Sequence, residues 1–187
     1  MKNYPIMAKF DTGFDIAMIN NIKNYVSSST NLVPATTGID GQIRSSIRNC
    51  LSSNIEDTYW IVRLLESYIL EVNKKLFRYD LNGWHDSLQY LFYDGKGAGY
   101  KWHSDIGAEP TETGIRKLSL VLGLSDINEY EGGELQIILD GRTNMETIKL
   151  GLGECVIFPS STIHRVRPLK SGRRETIVGW YAGPDFR

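Results

Sequence analysis

The chain has 187 residues, of which 41% are hydrophobic, and its formal net charge at pH 7 is −1. This length suffices for one domain with its own core, and the near-neutral charge gives no reason to expect a nucleic-acid partner. No apolar run is long enough to cross a bilayer, so we expect no membrane contact.

The cysteine content and the first residues favour a reducing compartment. Cys50 and Cys155 are too few for a disulfide framework, and we expect both thiols to be free. Residues 1–7 contain a lysine but lack the sustained apolar core of a secretory signal. We therefore expect a cytoplasmic protein, in a compartment that also keeps iron ferrous.

Two amphipathic helices are predicted in the first 85 residues, after a short strand at 6–10. Apolar residues recur at helical spacing over 14–26 and again over 61–76. Each helix should bury one stripe, and the second should brace one face of a sheet. The candidate N-cap residues, whose side chains can accept bonds from free amide groups, are Asp11 and Thr12 for the first helix and Asn54 and Asp57 for the second.

The segment between the helices is rich in Ser, Thr, Gly and Pro. Residues 27–42 are predicted to form a loop, and residues 43–47 a short strand. Arg44 in that strand is either a substrate contact or an ordinary solvated arginine. Together with the polar loop at 106–114, the segment 27–50 is the place where a bound peptide would have to lie.

From residue 86 the hydrophobic pattern changes to the alternation typical of strands. Eight short strands separated by turns favour a jelly roll or barrel-like sandwich. We expect one α+β domain over 1–187, with 1–85 as helical support and lip and 86–187 as the β core that carries the site. The predicted strands are 86–94, 99–105, 115–124, 134–139, 145–149, 154–158, 163–168 and 174–182.

Two histidines and one carboxylate stand out in this β region. Residues two apart on a strand point to the same side, so His103 and Asp105 should aim at one point. His164 would join them from a distant strand. Two imidazoles and a carboxylate can cover one face of an octahedral ion, which is typical of non-heme Fe(II) oxygenases, although zinc and manganese accept the same ligands.

A basic residue follows ten positions after His164. Arg174 lies on a predicted strand whose alternation puts Thr176, Val178 and Trp180 on the same face as its guanidinium. An inward guanidinium beside a hydroxyl is a good site for a carboxylate, because arginine offers two parallel donors. A dicarboxylate that chelates the metal at one end would dock its far end on Arg174 and Thr176.

Residues 86–187 resemble the Fe(II)/2-oxoglutarate dioxygenases of the prolyl 4-hydroxylase type, especially the PKHD-type hydroxylases. The resemblance rests on a series of short motifs in the correct order. The matching residues are Gln89, Tyr93, Tyr100, His103-Ser104-Asp105, Arg116-Lys117-Leu118-Ser119, Tyr130-Glu131-Gly132-Gly133-Glu134-Leu135, Phe158-Pro159-Ser160-Ser161, His164-Arg165-Val166, Gly172-Arg173-Arg174 and Gly179-Trp180.

The resemblance implies a double-stranded β-helix fold of the cupin-like type. It implies Fe(II) held by His103, Asp105 and His164, with 2-oxoglutarate and O2 as cosubstrates and ascorbate as a supporting reductant. It also implies Arg174 as the partner of the cosubstrate's far carboxylate. The implied reaction is hydroxylation of an unactivated C–H bond, in a prolyl or other residue of a protein or peptide, with release of succinate and CO2.

Three other residues have two interpretations each. Tyr93 either donates a hydrogen bond to the cosubstrate or is a core tyrosine with its hydroxyl at the surface. Tyr100 and Trp102 either wall the substrate entrance or simply pack. By strand alternation these two share a face with each other but not with His103.

Other functions remain compatible with parts of the pattern. The acceptor of the same reaction can be a free amino acid or small metabolite, because one fold hosts many substrates. Two histidines and a carboxylate also bind catalytic zinc, but a zinc hydrolase leaves Arg174 without a role and lacks an obvious general base. A non-enzymatic cupin-like binding module would not need the complete metal set.

Overall fold

The larger part of the chain forms strands. In the computed structural model the described residues are 6–29, 31–37, 42–107, 109–140 and 144–185. The N-terminal elements are β1 (Ala8–Asp11), α1 (Ile16–Ser29), β2 (Val33–Pro34), β3 (Thr36–Thr37), β4 (Gln42–Ile43), β5 (Arg48–Asn49), β6 (Leu51–Asn54), α2 (Trp60–Val72), a π-helical turn (Asn73–Phe77) and β7 (Gly83–Trp84). The C-terminal elements are β8 (Gln89–Asp94), β9 (Gly99–His103), β10 (Ile115–Gly123), β11 (Tyr130–Gly132), β12 (Leu135–Asp140), β13 (Asn144–Ile148), β14 (Glu154–Pro159), β15 (His164–Val166) and β16 (Leu169–Gly183).

Two antiparallel sheets face each other. The larger sheet has the order β1-β14-β10-β16-β8-β6-β2, and β16 also pairs with β11 and β7. The smaller sheet has the order β13-β12-β15-β9-β5. Strands that are close in sequence thus alternate between the sheets, which is the double-stranded β-helix predicted from the sequence.

The eight predicted strands of the C-terminal half are confirmed, with shifts at their ends. The largest difference concerns β16, which begins at Leu169 rather than at residue 174. Its first residues pair with β11 and its later residues with β8 and β10, so one long strand spans the whole cavity. A residue such as Lys170 is polar and exposed, which hid this extension from a hydrophobicity pattern.

Strand alternation separates two apolar layers. On β10, Leu118, Leu120 and Leu122 pack with the buried faces of the helices, whereas Val121 packs between the sheets with Phe158 of β14. On α2 the residues in the first layer are Ile61, Val62, Leu65 and Ile69. The helices therefore brace the outer face of the larger sheet, as predicted, and the inner face is left for the cavity.

The helix starts differ from the predictions. Asp15 caps α1, because its Oδ1 accepts a bond from the Met18 amide at 2.8 Å. The predicted caps lie before it, in a turn where Asp11 Oδ1 instead accepts a bond from the Gly13 amide. Helix α2 begins at Trp60, after Tyr59, which makes no capping bond through its side chain. Several Asx residues compete at each boundary, so spacing alone did not select the start.

The segment before α2 contains more pairing than predicted. Instead of one strand at 43–47, the chain forms β4, a turn, and then β5 and β6, which join opposite sheets. Residues 38–41 of the predicted lip and residue 108 of the predicted loop lie outside the described residues. Among the described helices, none combines the length and the apolar character needed to cross a membrane.

Candidate active site

A cavity opens between the two sheets at the level of β9 and β15. Its empty space measures about 470 Å³, solvent-open mouth included. It is lined by side chains of both sheets, with His103 and His164 from the smaller sheet and Arg174 and Trp180 from the larger one. Residues separated by most of the β core therefore meet in one place.

The His103, Asp105 and His164 side chains converge in this cavity. One ligand atom from each lies within 4.8 Å of the others. The two imidazoles meet because His103 on β9 pairs directly with His164 on β15. Asp105 lies just beyond the end of β9, and its two oxygens each approach one Nε2 atom, at 3.5 Å from His103 and 3.5 Å from His164.

Both imidazoles are oriented by backbone carbonyl groups. His103 Nδ1 lies 2.7 Å from the Lys101 oxygen, and His164 Nδ1 lies 3.0 Å from the Thr162 oxygen. A carbonyl oxygen only accepts, so each Nδ1 carries the proton and donates it. In a neutral imidazole held in this way Nε2 carries the lone pair and faces Asp105, which is the tautomer that a metal ligand requires.

Asp105 is held by two serines of the larger sheet. Ser119 Oγ donates to Asp105 Oδ2 at 2.7 Å, and the Ser119 and Ser160 hydroxyls lie 2.9 Å apart. The Asp105 amide also donates to the Ser160 carbonyl at 2.8 Å. Both serines belong to the family motifs, but no role was predicted for either, because the contact joins segments far apart in the chain.

The pKa shifts of Asp105 and His164 suit the binding of a divalent metal. Burial raises the pKa of Asp105, but His164 and His103 outweigh it and hold the pKa well below its ordinary value. Burial lowers the pKa of His164, although Asp105 opposes this shift. An ionised carboxylate and neutral imidazole are the forms that bind metal, and this donor set fits Fe(II), as it also fits zinc or manganese.

Arg174 is buried beside Tyr93 and Tyr130 without an anionic protein partner among the described residues. Its side chain is 1% exposed, and none of its three guanidinium nitrogens has a hydrogen-bond partner among the described residues. Thr176, on the same face of β16, likewise has a buried and unpartnered Oγ1. Both line the cavity together with Val178 and Trp180, as the alternation predicted. Such groups are costly to bury unless a ligand pairs with them.

Tyr93 lies against the Arg174 guanidinium. The Arg174 Cζ atom is 5.2 Å from the centre of the Tyr93 ring, and β8 pairs the two residues in register. The side chain is buried, so the interpretation with a hydroxyl at the surface is wrong. Burial raises the pKa of Tyr93, while Arg174 and Arg48 oppose the shift, so its hydroxyl is a neutral donor in the cavity wall.

Tyr100 does share a side with His103, contrary to the prediction. Their rings stack at 3.6 Å between centres, and both line the cavity. A register shift between β9 and β15 places the four residues 100–103 of β9 against the three residues 164–166 of β15, and this bulge reverses the alternation. Trp102 consequently points outward, where it is 40% exposed and packs under Arg165 at 4.5 Å.

The predicted substrate contact Arg44 lies outside the cavity lining. It is exposed, and its Nη2 donates to Gln42 Oε1 at 3.3 Å. Four residues later, Arg48 is buried and does line the cavity. The sequence contained no signal for Arg48, because only the pairing of β5 with β9 turns it inward.

His85 is buried in a polar network beside the cavity. Its Nδ1 lies 2.7 Å from Asp86 Oδ2, and its Nε2 lies 3.0 Å from the Glu109 carbonyl oxygen. Arg116 donates to Asp86 and stacks over Trp180, with Cζ 3.9 Å from the ring centre. The network thus fastens part of the 106–114 loop beside the cavity.

Comparisons with known proteins agree with this architecture. A PKHD-type hydroxylase of Synechococcus sp. (strain CC9902) is 44% identical over 85 residues, which cover 45% of this chain and 36% of the relative. The matched segment thus spans little more than a third of that protein.

Two solved structures share the fold at low sequence identity. A prolyl hydroxylase of Trichoplax adhaerens, in complex with a hypoxia inducible factor oxygen degradation domain peptide fragment, superposes with a TM-score of 0.75 at 18% identity, covering 95% of this chain and 83% of that one. A prolyl-4-hydroxylase of Pseudomonas putida superposes with a TM-score of 0.72 at 19% identity, covering 98% and 95%.

The family model that matches the chain is described as the 2OG-Fe(II) oxygenase superfamily. The match extends over residues 88–182, about half of the chain. It includes every strand that contributes to the cavity from β8 to β16, apart from the last residue of β16. The chain therefore belongs to the 2OG-Fe(II) oxygenase superfamily.

Proposed function

We propose that the chain is an Fe(II)- and 2-oxoglutarate-dependent hydroxylase. In this proposal His103, Asp105 and His164 hold the metal, and Arg174 with Thr176 holds the far carboxylate of 2-oxoglutarate. The observation that carries the proposal is the buried, unpartnered Arg174 guanidinium in the same cavity as the three candidate ligands. A zinc hydrolase or a simple binding module would leave that charge without a function.

The residues of the chain bind the metal and the cosubstrate, orient the metal ligands and shield the cavity from water. Fe(II) and 2-oxoglutarate, when bound with O2, supply an oxidant that hydroxylates an unactivated C–H bond with release of succinate and CO2. Ser119 and Ser160 fix the Asp105 carboxylate, and the two carbonyl groups fix the imidazoles. Apolar side chains such as Leu135 and Val121 exclude water from the space between the metal site and Arg174.

A prolyl residue of a protein or peptide is the proposed acceptor. The relatives and structures above are named as PKHD-type and prolyl hydroxylases, and their printed names support this class. Tyr100 and Trp180 are aromatic side chains of the cavity lining, and a pyrrolidine ring can pack against the parts of these rings that their neighbours leave uncovered. The exposed Trp102 lies on the outer face of the same strand as Tyr100, so its proposed substrate contact would be made outside the cavity.

Further parts of the proposal concern the whole protein. We infer that residues 1–187 act as one domain, because β5 and β6 of the N-terminal part pair within the two sheets of the core. Ascorbate as a supporting reductant and a cytoplasmic location stay predictions. Both cysteines are free and buried, which is compatible with a reducing compartment.

The test is product formation by iron-loaded protein. With 2-oxoglutarate, O2 and a panel of proline-containing peptides, we expect succinate to form and one peptide to gain the mass of one oxygen. H164A should abolish both products, whereas R63Q, at an exposed position of α2, should keep them. Oxygen incorporation into free amino acids but no peptide would move the acceptor to small molecules. Hydrolysis that needs no 2-oxoglutarate would refute the proposal.

A further inference from the structure

A second buried guanidinium lies in the cavity. Arg48 on the edge strand β5 is 8% exposed and lines the same space as Arg174. Its Nη1 donates to the Thr36 carbonyl at 3.0 Å, and its Nη2 donates to Gln89 Oε1 at 3.3 Å. Its Nε is buried and has no hydrogen-bond partner among the described residues. The side chain is thus anchored by two bonds and keeps donors free.

The two arginines are anchored at different positions along the cavity wall. Strand β8 runs along it, with Tyr93 paired to Arg174 and Gln89 paired to Val178. Gln89, which holds Arg48, is therefore four residues from Tyr93, or roughly 13 Å at about 3.3 Å per residue. Val178 is only two residues from Trp180, and Trp180 pairs with Ser119, which holds Asp105. The anchor of Arg48 therefore lies on the metal side of the cavity.

An aromatic contact places Arg48 beside the candidate metal ligands as well. Its Cζ lies 5.1 Å from the centre of the Tyr100 ring, and that ring stacks on His103 at 3.6 Å. Arg48 and Tyr100 are also direct partners between β5 and β9. The guanidinium is therefore one ring away from a metal-binding imidazole.

The neighbouring acidic groups do not neutralise Arg48. Among the described residues that line the cavity, Asp105 is the one carboxylate, and it is committed to the two imidazoles. Burial raises the pKa of the Cys50 thiol, although Arg48 opposes the shift, so the thiol supplies no anion. Burial also raises the pKa of the Tyr93 hydroxyl. The two buried guanidiniums therefore have no free protein anion in the cavity lining, and a ligand with negative charge would stabilise them.

We propose that Arg48 is a cosubstrate-binding residue that contacts the metal-side carboxylate of the bound 2-oxo acid, while Arg174 contacts the far carboxylate. This inference rests on the proposed function, since it assigns the two ends of the same cosubstrate. A diacid with two carboxylates matches a cavity with two buried guanidiniums, one held by Gln89 and one beside Tyr93. A side chain that served only to join β5 to Gln89 would have no reason to line the cavity without an anionic partner.

Two 2-oxo acids separate the roles of the two arginines. 2-Oxoglutarate has both carboxylates, whereas 2-oxopentanoate has the metal-side carboxylate and a methyl group at the far end. Binding of each acid to Mn(II)-loaded protein is measured by calorimetry, which needs no turnover. We expect R174Q to lower the affinity for 2-oxoglutarate at least tenfold and to change the affinity for 2-oxopentanoate less than twofold. We expect R48Q to lower the affinity for both acids about tenfold.

The controls distinguish failure of this inference from failure of the proposed function. R63Q carries the same substitution at an exposed site and should bind both acids as the unmodified protein does. If the unmodified protein binds neither acid, the proposed function fails. If it binds 2-oxoglutarate but R48Q keeps both affinities within twofold, or loses only that for 2-oxoglutarate, the assignment of Arg48 is wrong.

R48K covers the case in which R48Q does not fold. Lysine keeps the cation but has no planar fork to hold Thr36, Gln89 and a carboxylate together. We expect R48K to fold, as judged by circular dichroism, and to lower the affinity for both acids threefold or more. Unchanged affinity of R48K for both acids would overturn the proposal.

Discussion

At the scale of single residues, the cavity is defined by polar groups that serve a ligand rather than the fold. Arg174 and Thr176 have no hydrogen-bond partner among the described residues, whereas Asp105 is fixed by Ser119. The pattern of His103, Asp105, His164 and Arg174 was predictable from the sequence. Ser119 and Arg48 were not assigned, because their contacts depend on which strands become neighbours.

Substitution of Ser119 tests how Asp105 is positioned. S119A removes the hydroxyl that donates to Asp105 Oδ2 at 2.7 Å. Because groups that orient metal ligands tune affinity, we expect divalent-metal affinity to fall about tenfold or more, with the fold retained. Metal titration measures this, and S67A on the exposed side of α2 is the control. Equal metal affinity in S119A would contradict a positioning role.

Substitution of Thr176 should move stability and binding in opposite directions. T176V keeps the shape but removes the buried, unpartnered Oγ1. We expect the free energy of unfolding of the ligand-free protein to rise by about 1 kcal/mol, because an unsatisfied group is removed. We expect 2-oxoglutarate affinity to fall about tenfold. Urea unfolding and calorimetry measure the two effects, and a loss of stability in T176V would show that the hydroxyl has a protein partner.

At the scale of elements, hydrophobic alternation predicted the strands well and their side-chain directions less well. All eight core strands were located, because buried and exposed positions alternate along them. The bulge in β9 was not predictable, since it arises from pairing with β15 across 60 residues, and it turned Tyr100 toward His103. The helix starts were missed where several capping residues compete.

Helix α2 should contribute stability without shaping the cavity. Leu65 is fully buried against the outer face of the larger sheet. L65A should lower the free energy of unfolding by about 3 kcal/mol. It should leave the Kd for 2-oxoglutarate unchanged, as measured by calorimetry below the unfolding transition. L70A, at an exposed position of the same helix, should cost less than about 0.5 kcal/mol. A changed Kd in L65A would contradict a purely bracing role.

The segment after β7 should give the protein part of its acid sensitivity. Burial raises the pKa of Asp86, but hydrogen bonds from Arg116 and His85 outweigh it and leave the pKa below its ordinary value. A carboxyl group whose pKa is lower in the folded than in the unfolded protein stabilises the folded state at pH values above the unfolded pKa of about 4. This contribution is lost as the pH falls through the pKa of the folded state.

We therefore expect D86N to lower the free energy of unfolding at pH 7. Between about pH 5 and about pH 2, where the linkage acts, D86N should lose less stability than the unmodified protein. Urea unfolding midpoints at a series of pH values measure the difference. E112Q, at an exposed position of the neighbouring loop, is the control. Parallel pH profiles for D86N and the unmodified protein would show that the Arg116 contact does not stabilise the carboxylate.

At the scale of the whole molecule, two sheets bring residues as far apart in the chain as Arg48 and Arg174 into one cavity. The fold class was predictable because eight short strands with turns favour few architectures. The contents of the cavity wall were only partly predictable. Residues of β16 follow a regular alternation, but Arg48 reaches the cavity from the N-terminal part through an edge strand. Long-range pairing of that kind leaves no mark on local sequence patterns.

The central claim is that His103, Asp105 and His164 hold Fe(II) next to a 2-oxoglutarate site at Arg174. Anaerobic titration of the protein with Fe(II) and then 2-oxoglutarate tests it most directly. We predict a metal-to-ligand charge-transfer absorption band that needs both additions, that H164A lacks, and that R174Q develops only at higher 2-oxoglutarate concentration. Absence of the band from folded, Fe(II)-loaded protein at saturating 2-oxoglutarate would contradict the claim.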